Sequence, residues 1–299
     1  MIWVKLLRKA SLIIEAMIIT VDEGQAGLWL AASGAFIRRV LMPSTFAGGD
    51  FAMLEQDLVT AAILVIGDEI LSGRTKDKNI GYLAEYLTAV GIDLREVRVV
   101  PDCEEEIVTA AKTLAQRYTY LFTTGGIGPT HDDITADCIA QAAGVGIDVD
   151  ERAVALLRER FPNPEDLNEA RLRMARIPHG ADLIDNPISR APGFMIGNII
   201  VMAGVPSIMQ AMFENVLPRL KTGAKLQAQS IDSGGRPEGV YATALGQVQK
   251  QFPGVIIGSY PSFDGKRFQN QIVVRARDAA LLADAAQAVK TMLDGLPPA

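Results

Sequence analysis

The chain has 299 residues, 49% of them hydrophobic and 21% charged, with a formal net charge of −6. That bounds it to one large or two modest domains with a sizeable core, and excludes wholesale disorder. The acidic balance argues against nucleic acid as the main partner, because such binding rests on clustered Lys and Arg. Cys103 and Cys138 lie far apart and form no C-x-x-C, which points to a reducing cytoplasm rather than a disulfide framework or a zinc site.

Residues before Met53 carry little pattern. Lys5, Arg8 and Lys9 precede an apolar run in the manner of a signal peptide, but Glu15 interrupts it and no small-residue cleavage site follows closely. The run is too short and too charged to span a membrane. Residues 1–58 are therefore read as a poorly patterned extension, the part before Met53 being an appendage upstream of a natural start there.

From residue 61 the pattern sharpens. Residues 61–66 are a continuous apolar run, as expected of a strand covered on both faces of a parallel sheet. It ends in Gly67-Asp68-Glu69, polar groups at the carboxyl end of a strand, where open α/β sheets place their ligands. After a polar loop over 72–78, Ile80, Leu83, Leu87 and Val90 recur at helical spacing, closed by Gly91. Residues 97–100 are the next strand, ending in Pro101-Asp102. Ile107, Ala111 and Leu114 mark a helix, residues 118–122 a third strand, and residues 135–143 a helix closed by Gly144. This βαβαβ order predicts an α/β fold with a doubly wound, mostly parallel sheet.

Between the third strand and its helix lie Gly125, Gly126 and Gly128, then Thr130, His131, Asp132 and Asp133. Glycines there let the backbone approach a ligand, and the helix start offers unpaired N–H groups suited to a phosphate. Carboxylates in an anion site make sense if a cation intervenes, so the pattern points to a phosphate bridged by a divalent metal, Mg²⁺ first. The plain alternative is a tight turn in which Thr130 and Asp133 form a capping box. Glu69, Asp102 and Asp133 each follow a strand, and neighbouring strands would gather them at one sheet edge, where a cation relieves their repulsion.

The segments Gly67-Asp68-Glu69-Ile70-Leu71-Ser72-Gly73, Asp77-Lys78-Asn79 and Thr124-Gly125-Gly126-Ile127-Gly128-Pro129-Thr130-His131-Asp132-Asp133 resemble the MoaB/Mog-type molybdopterin-binding domain. The form is that of the competence/damage-inducible protein A (CinA) N-terminal region. Asn186-Pro187 with Arg190-Ala191-Pro192-Gly193-Phe194, and Gly204-Val205-Pro206-Ser207-Ile208-Met209, resemble two later motifs of the group. The resemblance implies a three-layer α/β fold that binds a phosphate-bearing pterin or nucleotide. It implies a metal-dependent pyrophosphatase acting on ADP-ribose or, as in a relative fused to FAD synthase, on FAD; the alternative is a non-catalytic molybdopterin or nucleotide binder. Glu69, Asp102 and Asp133 are then the metal and catalytic acids. Thr124, Gly125, Gly126, Gly128, Asn79 and Arg190 are the ligand contacts. The expected cofactors are a divalent metal of the Mg²⁺ or Co²⁺ type, with K⁺ beside it, and molybdopterin as an alternative ligand. A cytoplasmic homo-oligomer with a small-molecule partner, no nucleic acid and no membrane completes the expectation. The nicotinamide-nucleotide deamidase domain of longer CinA proteins has no counterpart before Ala299, so that activity is not carried over. His131 is a candidate acid or base, with loop packing or support of a neighbouring contact weighed against that role. Ser72 and Ser207 lack a His/Asp partner, and Cys103 is read as incidental.

Beyond the glycine loop, Asp150 caps a helix over 151–161, and an amphipathic helix over 165–176 carries Arg171, Arg173 and Arg176, read as a solvated face in preference to contacts for a partner subunit or a ligand phosphate. Residues 194–202 read as a hairpin turning at Gly197-Asn198. From about Lys221 the order becomes β-α-β-β-α, predicting a small split-βαβ module over 223–299 beside the 59–222 domain. It resembles the KH-like appendage of CinA proteins but has no G-x-x-G loop in basic surroundings, so RNA binding is not expected.

Overall fold

The computed structural model describes residues 58–263, 265–266 and 269–297, so the appendage expected over 1–58 falls outside the described residues but for Leu58. The first strand, β1 (Val59–Ile66), is buried along nearly its whole length, as its uninterrupted apolar run requires. A short helix α1 (Asp68–Leu71) and α2 (Asn79–Ala89) follow it. Strand β2 (Ile92–Val100) begins five residues before the expected Val97. Its polar residues Asp93, Arg95 and Glu96 hid it, because β2 lies at the sheet edge and never needed a continuous apolar run.

Helix α3 (Glu104–Arg117), strand β3 (Tyr120–Thr124) and helix α4 (Thr135–Ala143) complete the predicted βαβαβ. Next come β4 (Ile147–Val149), α5 (Glu151–Arg160) and α6 (Glu169–Arg173), then the short strands β5 (Arg176–Pro178) and β6 (Asp182–Ile184). The helix expected over 165–176 is thus a correction: only five residues of it are α-helical, and Arg176 opens a strand. Its arginines do not share a solvated face either, since Arg171 lies over the Phe161 ring and Arg176 pairs with Asp137. The hairpin is β7 (Gly193–Ile196) and β8 (Ile199–Met202), followed by α7 (Pro206–Val216).

The main sheet runs β2-β1-β3-β8-β7-β6. Strands β2, β1, β3 and β8 are parallel, and β7 and β6 add antiparallel pairs at the far edge. Leu64, Leu121 and Val201 face one core with Ile107, Leu114, Ile139 and Leu157. Ile63, Phe122 and Ile200 face the other with Leu83, Leu87, Met209 and Phe213. Alternate residues of each strand therefore feed helices on both faces, which makes the three layers. Phe213 anchors the second core, meeting Phe122 edge-on at 5.8 Å and Tyr82 at 6.2 Å.

Asp150 does cap α5: its carboxylate accepts from the Arg152 backbone N–H at 2.7 Å, and the Arg152 guanidinium holds the acid's pKa below the usual range. Asp150→Ala is expected to cost about 1 kcal/mol, read as a fall of roughly 2–4 °C in melting temperature. An unchanged melting temperature would remove the cap from the account.

The smaller module contains β9 (Gln227–Asp232), α8 (Glu238–Gln251), β10 (Ile256–Tyr260), β11 (Gln271–Ala276) and α9 (Ala279–Asp294). Its sheet order is β10-β11-β9, both pairs antiparallel, so α8 carries the chain across β11 in the expected split βαβ. Arg277 ties the module to the main sheet, bonding Asp93 on β2 and the Ala224 carbonyl.

Candidate functional site

Strands β1, β3 and β8 end in register, Val65 beside Thr124 and Thr124 beside Met202. Their following loops therefore leave the same edge of the sheet. Gly125 has φ of 105°, and a Cβ there would lie 2.1 Å from the Ile66 carbonyl oxygen. Gly126 has φ of 65°, and its Cβ would lie 2.2 Å from Thr135 Oγ1. The turn is thus clamped between the end of β1 and the start of α4, a fit that side chains forbid.

These loops wall a cleft of about 570 Å³. Its lining combines Glu69, Asp102, Asp132 and Asp133 and the glycine turn with apolar residues that include Met174, Val205, Ile208 and Met212. The three predicted acids do line one cavity, with Gly125, Gly126 and Gly128. Their roles differ in detail.

Asp102 Oδ2 accepts from the Asp68 backbone N–H at 3.0 Å, joining the loop after β2 to the loop after β1. Burial raises the Asp102 pKa, and the charges of Asp68, Glu69 and Asp132 push it the same way, against the lowering effect of the Asp68 amide. The Glu69 carboxylate folds back over Gly67, both oxygens 2.5 Å from where a Cβ would stand. Asp133 is engaged within its own loop: Oδ2 accepts from the Thr130 backbone N–H at 2.8 Å and from the Thr130 hydroxyl at 2.5 Å. This is one arm of the capping box, yet α4 begins only at Thr135, so the contact closes the loop rather than capping a helix. Among the described residues no three His, Cys, Asp or Glu come together as a metal-holding group. The acids share the cleft, but the expected metal triad of Glu69, Asp102 and Asp133 is not assembled.

The other expected contacts separate. Thr124 is buried with its hydroxyl unpartnered, and it is not among the cleft residues. Asn79 is buried at the start of α2, where Nδ2 donates to the Gly204 carbonyl at 2.8 Å. It positions the loop after β8 and does not line the cleft. Arg190 corrects the reading more sharply: its guanidinium pairs with Glu159 at 3.0 Å and Asp185 at 3.5 Å, and it does not line the cleft. His131 projects into solvent with its side chain 99% exposed.

The cleft also recruits Thr75 and Ser189, which the sequence reading did not single out, and Gly204, which it placed in a later motif without a role. Asn186 organises the Ser189 rim, accepting from the Ile188 and Ser189 amides at 3.1 and 3.2 Å and donating to the Ala191 carbonyl at 2.9 Å. The Asn186-Pro187 motif was the available signal, but β6 and β7 are too short to show the periodicity that would have placed it.

Fold and cleft together define a three-layer α/β ligand-binding domain that opens at the carboxyl edge of its parallel strands. Residues 62–222 match the family described as a probable molybdopterin binding domain, and the chain belongs to that family. Residues 234–296 match the middle domain of FAD synthase. A protein of Pyrobaculum calidifontis is 37% identical over 211 residues, covering 68% of this chain and 80% of its own. One of Aeropyrum pernix is 33% identical over 245 residues, covering 78% and 90%. The crystal structure of CinA from Thermoplasma acidophilum, described as of unknown function, superposes with a TM-score of 0.52 at 32% identity, over 55% of this chain and 98% of that one. The CinA-type resemblance read from the motifs is borne out. Among the described residues no helix is long and apolar enough to cross a membrane.

Proposed function

We propose that this chain is a divalent-cation-dependent nucleotide pyrophosphatase acting on ADP-ribose or a similar dinucleotide. The observation that carries the reading is Asp102, a carboxyl whose pKa is raised among three further acids beside a glycine turn in one cleft. Crowded carboxylates at an anion-binding turn call for a cation. Glu69 and Asp102 fit one of the Mg²⁺ or Co²⁺ type, since Mg²⁺ is commonly held by one or two carboxylates together with substrate phosphates. When bound, the cation would neutralise phosphate oxygens and lower the pKa of a water.

The chain's own groups do the rest. Gly125, Gly126 and Gly128 present backbone to the diphosphate, and the apolar lining residues Met174, Val205 and Ile208 receive a ring. The Thr130 contact holds Asp133 by Oδ2 and leaves Oδ1 to take a proton from the attacking water. The water oxygen bonds to phosphorus, the bridging P–O bond breaks, and ADP-ribose yields AMP and ribose 5-phosphate. The match to FAD synthase supports this substrate class, because FAD also joins two nucleotides through a diphosphate.

A second reading, a non-catalytic binder of molybdopterin or a nucleotide, draws on the engaged Asp133 carboxylate and the unassembled triad. A screen of ADP-ribose and FAD against Mg²⁺ and Co²⁺, with products identified by mass, separates the two. AMP formed only with a cation supports the enzyme; binding without product under every condition supports the carrier. Arg190→Ala is expected to leave the KM for ADP-ribose within about twofold, since exposed ion pairs are worth little and this guanidinium is not part of the cleft lining. A tenfold rise would return Arg190 to the site.

A further inference from the structure

We propose that the loop over 72–78, through Arg74 and Lys76, captures the anionic ligand for the cleft and selects phosphorylated over neutral nucleosides. This rests on the reading of the cleft as a site for a phosphate-bearing ligand, and not on cleavage. Glu69, Asp102, Asp132 and Asp133 line the cleft, and no Lys, Arg or His does. Such walls repel a phosphate, and one divalent cation offsets only part of the negative charge that ligand and walls bring together.

The loop supplies the opposite sign at the rim. Arg74, Lys76 and Lys78 alternate along it, and all three are exposed. Among the described residues none of them meets a carboxylate, whereas Arg98, Arg117, Arg152 and Arg190 each do. The loop's one acid, Asp77, is engaged elsewhere: its Oδ1 accepts from the Ile80 backbone N–H at 2.8 Å, at the start of α2. The positive charges are therefore left to act on solvent and on whatever approaches the cleft.

Backbone contacts fix the loop against the cleft. The Ser72 N–H donates to the Asp68 carbonyl at 2.8 Å and the Gly73 N–H to the Ile70 carbonyl at 3.1 Å, with Gly73 turning at φ of 72°. The Thr75 N–H then returns to the Glu69 carbonyl at 3.0 Å, and Thr75 itself lines the cleft. Arg74 and Lys76 flank it, their Cα atoms about 3.8 Å from its own. Charges are screened over about 10 Å at 0.1 M salt, so their field reaches the cavity whichever rotamer each adopts. A ligand with a phosphate gains from that field, and a neutral nucleoside does not.

The test is calorimetric titration with AMP and with adenosine, both in Mg²⁺. It is applied to wild type, to Arg74→Ala/Lys76→Ala, to the charge-keeping Arg74→Lys/Lys76→Arg, and to Lys290→Ala, an exposed site on α9. Both loop positions are exposed, so the substitutions leave the cores intact. At about 0.1 M salt the alanine pair should bind AMP roughly tenfold more weakly and adenosine unchanged. At about 1 M, where screening shortens to about 3 Å, the AMP difference should close to within twofold. The charge-keeping pair and Lys290→Ala should match wild type. Equal AMP affinity in wild type and the alanine pair, a loss shared equally by adenosine, or no AMP binding by wild type overturns the proposal. The AMP-specific loss, with ADP-ribose uncleaved by wild type, upholds it while sinking the hydrolase reading. ADP-ribose cleaved, with AMP affinity unchanged in the alanine pair, does the reverse.

Discussion

Gly125→Ala is expected to destabilise the fold by about 3–5 kcal/mol, combining the cost of a left-handed backbone with that of an overpacked contact. Its φ of 105° disfavours any L side chain, and the added Cβ would stand 2.1 Å from the Ile66 carbonyl oxygen. That oxygen is backbone at the end of a central strand and has no rotamer to yield. Moving the turn instead would strain the Gly125 N–H bond to the Met202 carbonyl, 3.2 Å, which ties β3 to β8 at the cleft floor. Since domains have only about 5–15 kcal/mol in hand, the variant should unfold at far lower urea or fail to fold at all. Gly126→Ala should be milder, because the obstructing Thr135 Oγ1 belongs to a side chain. A Gly125→Ala midpoint within experimental error of wild type would show that the turn is not clamped as described.

Asp102→Asn should separate stability from activity. Burial and three neighbouring acids raise the Asp102 pKa, so the folded chain binds that proton more tightly than the unfolded one. The stability contributed is therefore complete below the ordinary carboxylate pKa and lost as pH rises through the raised value. Asparagine keeps an oxygen to accept the Asp68 N–H and carries no charge. The variant should match wild type in acid and exceed it in melting temperature at neutral pH, while its cation-dependent turnover of ADP-ribose falls by about two orders of magnitude. Adding Mg²⁺ should raise the wild-type melting temperature and leave the variant's unmoved. A variant less stable than wild type at neutral pH would mean that the carboxylate is a structural partner rather than one of a repelling set.

The parallel strands and the glycine turn were readable because burial on both faces writes a continuous apolar run and a tight strand-to-helix turn demands glycine. Strand β2 was readable only in its last residues, where Val99 and Val100 turn into the two cores. Strands β4, β5 and β6 span three residues each, less than two periods of alternation, and could not be told from loop. For the site, strand order made the meeting of Glu69, Asp102 and Asp133 in one cleft a fair inference. What a one-dimensional pattern cannot carry is direction. Asp133 turns to Thr130, Asn79 to Gly204 and Arg190 to Glu159, each settled by a contact formed only on folding.

The central claim is that the cleft acids and the glycine turn hold one phosphate ligand through a shared divalent cation. The most direct measurement is the affinity of wild-type protein for ADP-ribose at 0 °C, with Mg²⁺ and with a chelator. Binding tightened by about tenfold or more with Mg²⁺ is the expected result, as one added charge-assisted contact gives. Equal affinity with and without the cation would contradict it.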